Sequence, residues 1–241
     1  MYTIDPAAFG APIDAAMQPY LDAPGILVET RLGAVTQQRT TGVSDADSNQ
    51  AATAGQTIEV GSQTKMMTSV VILQLVEEGH FSLDDKLIDH VQTDAINGIA
   101  NIEDVTIRQL LSMKSGIPNY TDIPGTSGLP LALETMLENP GEIFGQEEAL
   151  AIVDGLPADF APGEGIAYSN TNYTLLGLLA ETVTGNSLAA EMQARIFTPL
   201  GMNDTTMDRF GEDANRMQGY VDFGNGLTNT DAFLWDPGAE G

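Results

Sequence analysis

The chain has 241 residues, no cysteine, only two histidines and a formal net charge of −25 at pH 7. A thiol nucleophile is therefore excluded, and a metal site built from several histidines is not expected. The strong negative charge argues against nucleic acid and anionic membrane surfaces as partners. Because the acidic residues are scattered, they are typical of a solvated surface.

The N-terminus carries no recognisable targeting segment. Residues 1–6 contain neither a basic region nor the apolar core of a secretory signal peptide. No run of 18 apolar residues occurs, so the sequence predicts no membrane-spanning helix. A chain without cysteine is compatible with export and with the cytoplasm, and both locations stay open at this point.

The predicted elements begin with strands and continue mainly as helices. Residues 26–31 and 34–39 are predicted to pair around a turn, and residues 56–60 to form a short strand that leads to Ser62. From Asp84 to about Arg209 the pattern indicates helices joined by loops rich in proline and glycine. The clearest amphipathic helix spans residues 187–197, with its apolar positions at four-residue spacing: Leu188, Met192 and Ile196.

Ser62 and Lys65 stand one helical turn apart, just before a long apolar run. The spacing puts hydroxyl and amine on one helix face, at its positively polarised end. A helix that is apolar on nearly every face is predicted to be buried, and a partly desolvated lysine in its first turn can act as a general base. His80 and His90 fall in polar, surface-type stretches. Because the Ser-x-x-Lys pattern is short, an alternative stays open: Ser62 caps the helix and Lys65 extends to water.

A second polar segment, Tyr168-Ser169-Asn170, lies between a Pro-Gly turn and another apolar helical run. A phenol at Tyr168 can take or relay a proton beside a lysine, and Asn170 can offer its amide to a substrate carbonyl. By itself the tripeptide is also typical of a helix entry, with serine or asparagine as the cap. The two segments together indicate a catalytic site more strongly than either segment alone.

These segments resemble the motifs of the serine β-lactamase and penicillin-binding-protein superfamily. The similar branch contains soluble D-alanyl-D-alanine carboxypeptidases, class C β-lactamases, D-aminopeptidases and related esterases. The resemblance runs from about Gly25 to the end of the chain. Three further stretches carry it: F-S-L-D-D at residues 81–85, T-I-R-Q-L-L-S-M-K-S-G-I at residues 106–117, and residues 168–173 followed by I-F-T-P-L-G-M at residues 196–202.

The resemblance implies an α/β fold, with an antiparallel sheet flanked by helices and a mainly helical insertion. It assigns residues 1–83 to the N-terminal part of the α/β domain, including the nucleophile helix, and residues 84–241 to the mainly helical domain and connecting loops. Neither a cofactor nor a metal is implied.

The resemblance also implies roles for individual residues. Ser62 would be the acylated nucleophile, Lys65 its base and Tyr168 the proton relay, while Asn170 would contact the substrate amide. Tyr120 matches a loop that borders the family's pocket, where it is either a substrate wall or a loop-packing residue. Trp235 is a second pocket candidate, with a core position as the alternative.

The chain departs from the family pattern in two places. Met113 replaces a common histidine, a change expected to affect packing rather than chemistry. The family's third motif, a basic residue and a glycine on a core strand, has no counterpart; the late loop at residues 223–226 lacks the basic residue. We therefore predict an N-terminal fragment cut after Gly241, with the remaining strands on a companion chain from the same precursor. Autoproteolysis, a separate protease and artificial truncation stay open.

The missing strand also bears on activity. The Ser62 N–H would supply one arm of an oxyanion hole, and in the family the other arm comes from the strand that follows the third motif. The fragment alone is therefore predicted to be inactive.

The similarity of residues 168–202 to carboxypeptidases favours a D-amino-acid-specific peptidase acting on small peptide, amide or ester substrates. An esterase, amidase or β-lactamase of the same superfamily is the first alternative. A non-catalytic protein that binds peptidoglycan or another ligand is an alternative from a different class. Members of the superfamily are commonly exported, which favours a secreted or periplasmic location.

Overall fold

A computed structural model describes residues 10–207, 215–222, 226–230 and 234–236. The described residues form both helices and sheets, in agreement with the predicted α/β fold. The chain divides into two compact units, one formed by residues 1–59 and 211–231 and the other by residues 60–210 and 232–241. The predicted domain boundary after residue 83 concerns the complete fold and stays a prediction.

The first unit contains a helix and a small antiparallel sheet. The sheet has the strand order β1-β2-β3, and the first two strands pair through Leu32 and Val35 around Gly33. Gly33 has a φ of 61°, a left-handed conformation that glycine adopts without steric cost. The predicted pairing of residues 26–31 with 34–39 is confirmed. The elements of this unit are α1 (Gly10–Met17), β1 (Gly25–Leu32), β2 (Val35–Asp45), β3 (Gln50–Ala51), β5 (Tyr220–Asp222) and β6 (Leu227–Asn229).

Residues 56–60 do not form the strand predicted for them. Thr57 makes an isolated parallel bridge to Arg216. Its N–H donates to the Asn215 carbonyl at 3.3 Å, and its own carbonyl accepts from the Met217 N–H at 2.9 Å. The prediction is wrong because a strand requires a neighbour along several residues, and within the described segments the pairing stops after this one bridge.

The second unit is mainly helical, as the pattern after Asp84 predicts, although Arg209 at its expected end lies outside the described residues. Its longest helix is buried along most of its length, and Leu175, Leu176 and Leu179 have no exposed surface. None of the described helices has the length and apolar character needed to cross a membrane. The elements of this unit are α2 (Thr64–Glu77), α3 (Ile107–Leu111), α4 (Leu131–Glu138), β4 (Ile143–Gly145), α5 (Gln146–Val153), α6 (Asn170–Thr184), α7 (Leu188–Met192), α8 (Thr198–Leu200) and β7 (Leu234–Asp236).

The amphipathic segment at residues 187–197 buries its apolar face, as the four-residue spacing predicts. Leu188, Met192 and Ile196 are all buried. The helix is not uniform, however, because α7 continues into a π-helical turn, Gln193–Phe197, before α8 begins. Such a wider turn inserts one residue without breaking the helix.

Helix α2 is buried on one face only, which corrects the expectation of a helix buried all round. Val71, Ile72 and Leu75 have no exposed surface, whereas Met66, Val70 and Leu73 are 65%, 42% and 44% exposed. The three exposed side chains follow one another at helical spacing and form one face, here named the open face of α2. No described residue covers this face, although its composition suits burial.

Candidate active site

Ser62 and Lys65 meet at the start of α2. Ser62 lies in a short 3₁₀ turn, Gly61–Gln63, directly before the α-helix, and it is exposed. Lys65 lies in the first turn of α2 and is only 7% exposed. Its Nζ donates a hydrogen bond to Ser62 Oγ at 3.1 Å. Lys65 therefore does not extend to water, and the Ser62 hydroxyl bonds to side chains rather than capping α2.

Tyr168 joins this pair from a distant part of the chain. Its hydroxyl lies 2.7 Å from Ser62 Oγ, across 106 positions of sequence. Tyr168 is half exposed and stands in the loop immediately before α6. Ser62 Oγ thus contacts both an amine and a phenol, two groups able to move a proton.

The loop that carries Tyr168 is fastened on both sides of the tyrosine. The Ala167 N–H donates to the Met113 carbonyl at 3.1 Å. Ser169 Oγ donates to the Pro118 carbonyl at 3.2 Å, and the Asn170 N–H donates to Asn119 Oδ1 at 2.9 Å. Ser169 is the N-cap residue of α6 but makes no capping bond with its side chain. The segment is therefore more than a helix entry, since its polar groups bind a second loop.

Met113, where the family commonly has histidine, belongs to this second loop, residues 113–119. It adopts a left-handed conformation with a φ of 58°. Its sulfur accepts a hydrogen bond from the buried Asn172 Nδ2 at 3.4 Å. Asn172 Oδ1 in turn accepts from Ser115 Oγ at 2.6 Å. Met113 thus packs into a buried polar network, and this contact is structural.

The environment of Tyr168 changes the acidity of its phenol. Partial burial opposes ionisation, but hydrogen bonds from Lys65 and Ser62 and the positive charge of Lys65 outweigh it, so the pKa of Tyr168 lies below its ordinary value. A lowered pKa means that the phenolate, a proton acceptor, forms at lower pH than for a free tyrosine. The same contacts therefore hold the Tyr168 hydroxyl beside Ser62 and lower the pKa of its phenol.

We expect Tyr168 to ionise below about pH 10, the usual midpoint of a tyrosine. The measurement is the ultraviolet absorbance of tyrosinate as a function of pH, for the native protein and for Tyr168→Phe. The difference between the two curves is the titration of the Tyr168 phenol. Replacing Lys65 by methionine removes the hydrogen bond and the positive charge, so the difference titration should then move to higher pH. A Tyr168 signal centred above the ordinary midpoint in the unsubstituted protein would contradict the geometry.

Asn170 begins α6 two residues after Tyr168, and its side-chain amide bonds within the protein. Its Nδ2, the group expected to bind a substrate carbonyl, donates to Thr121 Oγ1 at 3.1 Å. Its Oδ1 is buried and has no hydrogen-bond partner among the described residues. A buried carbonyl oxygen without a partner is costly to the fold. A substrate contact of Asn170 stays a prediction.

Tyr120 and Trp235 form an aromatic cluster with Phe144. Tyr120 has no exposed surface, and its ring centroid lies 6.0 Å from that of Phe144 and 5.8 Å from that of Trp235. Phe144 on β4 and Trp235 on β7 stack at 5.2 Å, because the two strands pair in parallel. Loop packing is what Tyr120 does in this structure. A substrate-contacting role for either residue stays a prediction.

Several residues around the site were not predicted from the sequence. Tyr173 and Ser69 approach Lys65 from α6 and from α2, while Asn119 and Thr121 hold Asn170. Ser69 stands four residues after Lys65, so helical spacing could have identified it. The other contacts join residues about 50 or more positions apart and have no local signal. Of the late loop considered for the third motif only Gly226 is described, and the predicted cut after Gly241 lies outside the described residues.

Comparison with known proteins places this geometry in a family. A family model described as Beta-lactamase matches residues 13–240. Protein flp of Staphylococcus aureus strain MW2 is 33% identical over 165 residues, which are 68% of this chain and 31% of that protein. The chain thus spans less than a third of the length of this curated relative.

Two solved structures are similar over nearly the whole chain. A penicillin binding protein from Bacillus halodurans matches with a TM-score of 0.77 at 24% identity, covering 95% of this chain and 68% of that one. A D-stereospecific amidohydrolase from Streptomyces sp. matches with a TM-score of 0.75 at 28% identity, covering 91% of this chain and 65% of that one.

The fold is therefore the β-lactamase and transpeptidase type, whose superfamily consists of serine hydrolases. The chain belongs to the beta-lactamase family. The resemblance read from its motifs is confirmed.

Proposed function

We propose that the native protein containing this chain is a serine hydrolase that works through an acyl-enzyme on Ser62. The observation that carries the proposal is the double contact of Ser62 Oγ, 3.1 Å from Lys65 Nζ and 2.7 Å from the Tyr168 hydroxyl. A nucleophile within hydrogen-bond reach of a base, with a third group beside them, is the arrangement that activates serine.

The proposed reaction has two steps. Lys65, in its unprotonated form, takes the Ser62 proton as the oxygen bonds to the substrate carbonyl carbon. Tyr168 then passes this proton from Lys65 to the leaving group. Water then attacks the ester, the acyl group leaves as an acid, and Ser62 regains its proton. The Ser62 N–H stabilises the oxyanion in both steps as one donor, and the second donor comes from the remaining part of the fold.

The substrate class we propose is a peptide or amide of a D-amino acid. Similarity to a D-stereospecific amidohydrolase over 91% of the chain supports this choice. An ester hydrolase or β-lactamase is the alternative within the family.

We also propose a partner: a companion chain, cut from the same precursor, that supplies the remaining strands. The open face of α2 supports this, because Met66, Val70 and Leu73 present apolar surface beside the site. Coverage of about two thirds of the similar solved chains is consistent with a further segment in the complete fold.

The test is intact mass spectrometry of the native protein before and after incubation with a fluorophosphonate, followed by peptide mapping. A stoichiometric adduct on Ser62 is the expected result, and a companion chain would appear in the same spectrum. A parallel incubation with a penicillin asks whether a β-lactam also acylates Ser62. A native protein with all its chains present and no adduct would overturn the acyl-enzyme proposal and favour a ligand-binding protein.

A further inference from the structure

Tyr173 is a buried tyrosine that the proposed reaction does not use. It lies on α6, five positions after Tyr168, and is 6% exposed. Its ring centroid lies 5.7 Å from Lys65 Nζ, and that of Tyr168 lies 5.2 Å from the same atom. Both distances are short enough for the rings to flank the lysine head group, and they are within the range of cation–π attraction when Lys65 is protonated. The Lys65 Nζ therefore has three neighbours: the Ser62 hydroxyl and the rings of Tyr168 and Tyr173.

The Tyr173 hydroxyl belongs to a chain of hydrogen bonds that ends on the backbone of Lys65. Ser69 Oγ donates to the Lys65 carbonyl at 2.8 Å. The Tyr173 hydroxyl lies 3.1 Å from Ser69 Oγ and 3.3 Å from the Leu111 carbonyl. Since Ser69 has one hydroxyl proton, and the Lys65 carbonyl receives it, Tyr173 is the donor toward Ser69 Oγ or Leu111. Tyr173 thus ties the first turns of α2 to α6 and to the end of α3.

A lysine base requires such support. Four rotatable bonds separate Nζ from the backbone, and fixing a side chain of this type costs on the order of 1.5–2 kcal/mol in rotamer entropy. Misplacement of a reacting group by about 1 Å can reduce a rate about 100-fold. The hydrogen bond to Ser62 restrains Nζ along one direction only. A ring packed beside Nζ limits its displacement in other directions.

We propose that Tyr173 is a positioning residue for Lys65, whose ring holds Nζ against Ser62 Oγ. The inference rests on the proposed function of Lys65 as the base. Tyr173 itself does not touch Ser62 in this arrangement, so it acts through the lysine. The ring carries this role, and the hydroxyl fixes the ring in place.

The test compares Tyr173→Phe, which keeps the ring, with Tyr173→Leu, which removes it, in the native protein. A fluorophosphonate titration gives the maximal labelling rate, the probe concentration at half that rate, and the final stoichiometry. We expect Tyr173→Leu to lower the maximal rate about 10- to 100-fold with one label per protein and unchanged half-saturation. Tyr173→Phe should stay within a few-fold of the unsubstituted protein.

The matched control is Phe81→Leu, which removes another aromatic ring of 6% exposure, one that contacts His90 and not the site. It should leave the labelling rate unchanged. Tyr173→Met, with a longer side chain, repeats the comparison so that a folding defect in Tyr173→Leu does not decide the result. Normal rates in both ring-deleted variants, or equal slowing in Tyr173→Phe, would overturn the proposal. Absence of label in the unsubstituted protein would instead refute the proposed function.

Discussion

Replacement of Ser62 by alanine is expected to abolish covalent labelling and to lower turnover by a factor on the order of 10⁶. The loss is large because Ser62 Oγ is the atom that both Lys65 Nζ and the Tyr168 hydroxyl contact, and alanine leaves them nothing to activate. The measurement is turnover of a D-amino acid amide by the native protein, with mass spectrometry after incubation with the probe.

Ser48→Ala is the matched control for the Ser62 variant. Ser48 is an exposed serine whose hydroxyl bonds to Asp45, so its loss should leave labelling and turnover unchanged. Thermal unfolding of both variants should resemble that of the unsubstituted protein, because neither position is buried. Persistent labelling of Ser62→Ala at another residue would show that the nucleophile has been misassigned.

Lys65 substitutions are expected to give the second-largest effect. Lys65→Met should slow acylation by about 10² to 10⁴, the usual contribution of a general base. Lys65→Arg should be slowed similarly, since a guanidinium keeps its charge but does not accept a proton near neutral pH. The measurement is the single-turnover acylation rate at saturating substrate, which separates chemistry from binding.

The two Lys65 variants distinguish a base from a fixed positive charge. If Lys65→Arg acylates at nearly the rate of the unsubstituted protein, only the charge matters and the base must be another group. Lys86→Met is the control, because Lys86 is a partly exposed lysine that pairs with Asp104 at 2.8 Å. Its loss should leave the acylation rate unchanged, since exposed ion pairs contribute little.

The local features of the site could be predicted well from the sequence. Ser62 and Lys65 are three residues apart, and helical geometry alone brings their side chains to one face. The strands around Gly33 and the buried positions of residues 188–196 follow from local pattern in the same way. In each case the partners are close in sequence, so short-range geometry decides the contact.

Other features failed or were missed because they depend on distant parts of the chain. Residues 56–60 have the composition of a strand, but only Thr57 finds a partner. The apolar run of α2 indicates which side chains favour burial and does not show what covers them, so the open face was not foreseen. The hydrogen bond from Asn170 Nδ2 to Thr121 joins residues 49 positions apart, and the sequence did not predict it.

The sequence by itself determined the family and the α/β class, and it predicted Ser62, Lys65 and Tyr168 as site residues, because these depend on short motifs and local spacing. Only the tertiary structure decided how these groups meet. The packing of α6 against α2 brings the Tyr168 hydroxyl to Ser62 and the Tyr173 ring to Lys65. Contacts across about a hundred residues arise from the packing of whole helices, and no local pattern encodes which side chains then touch.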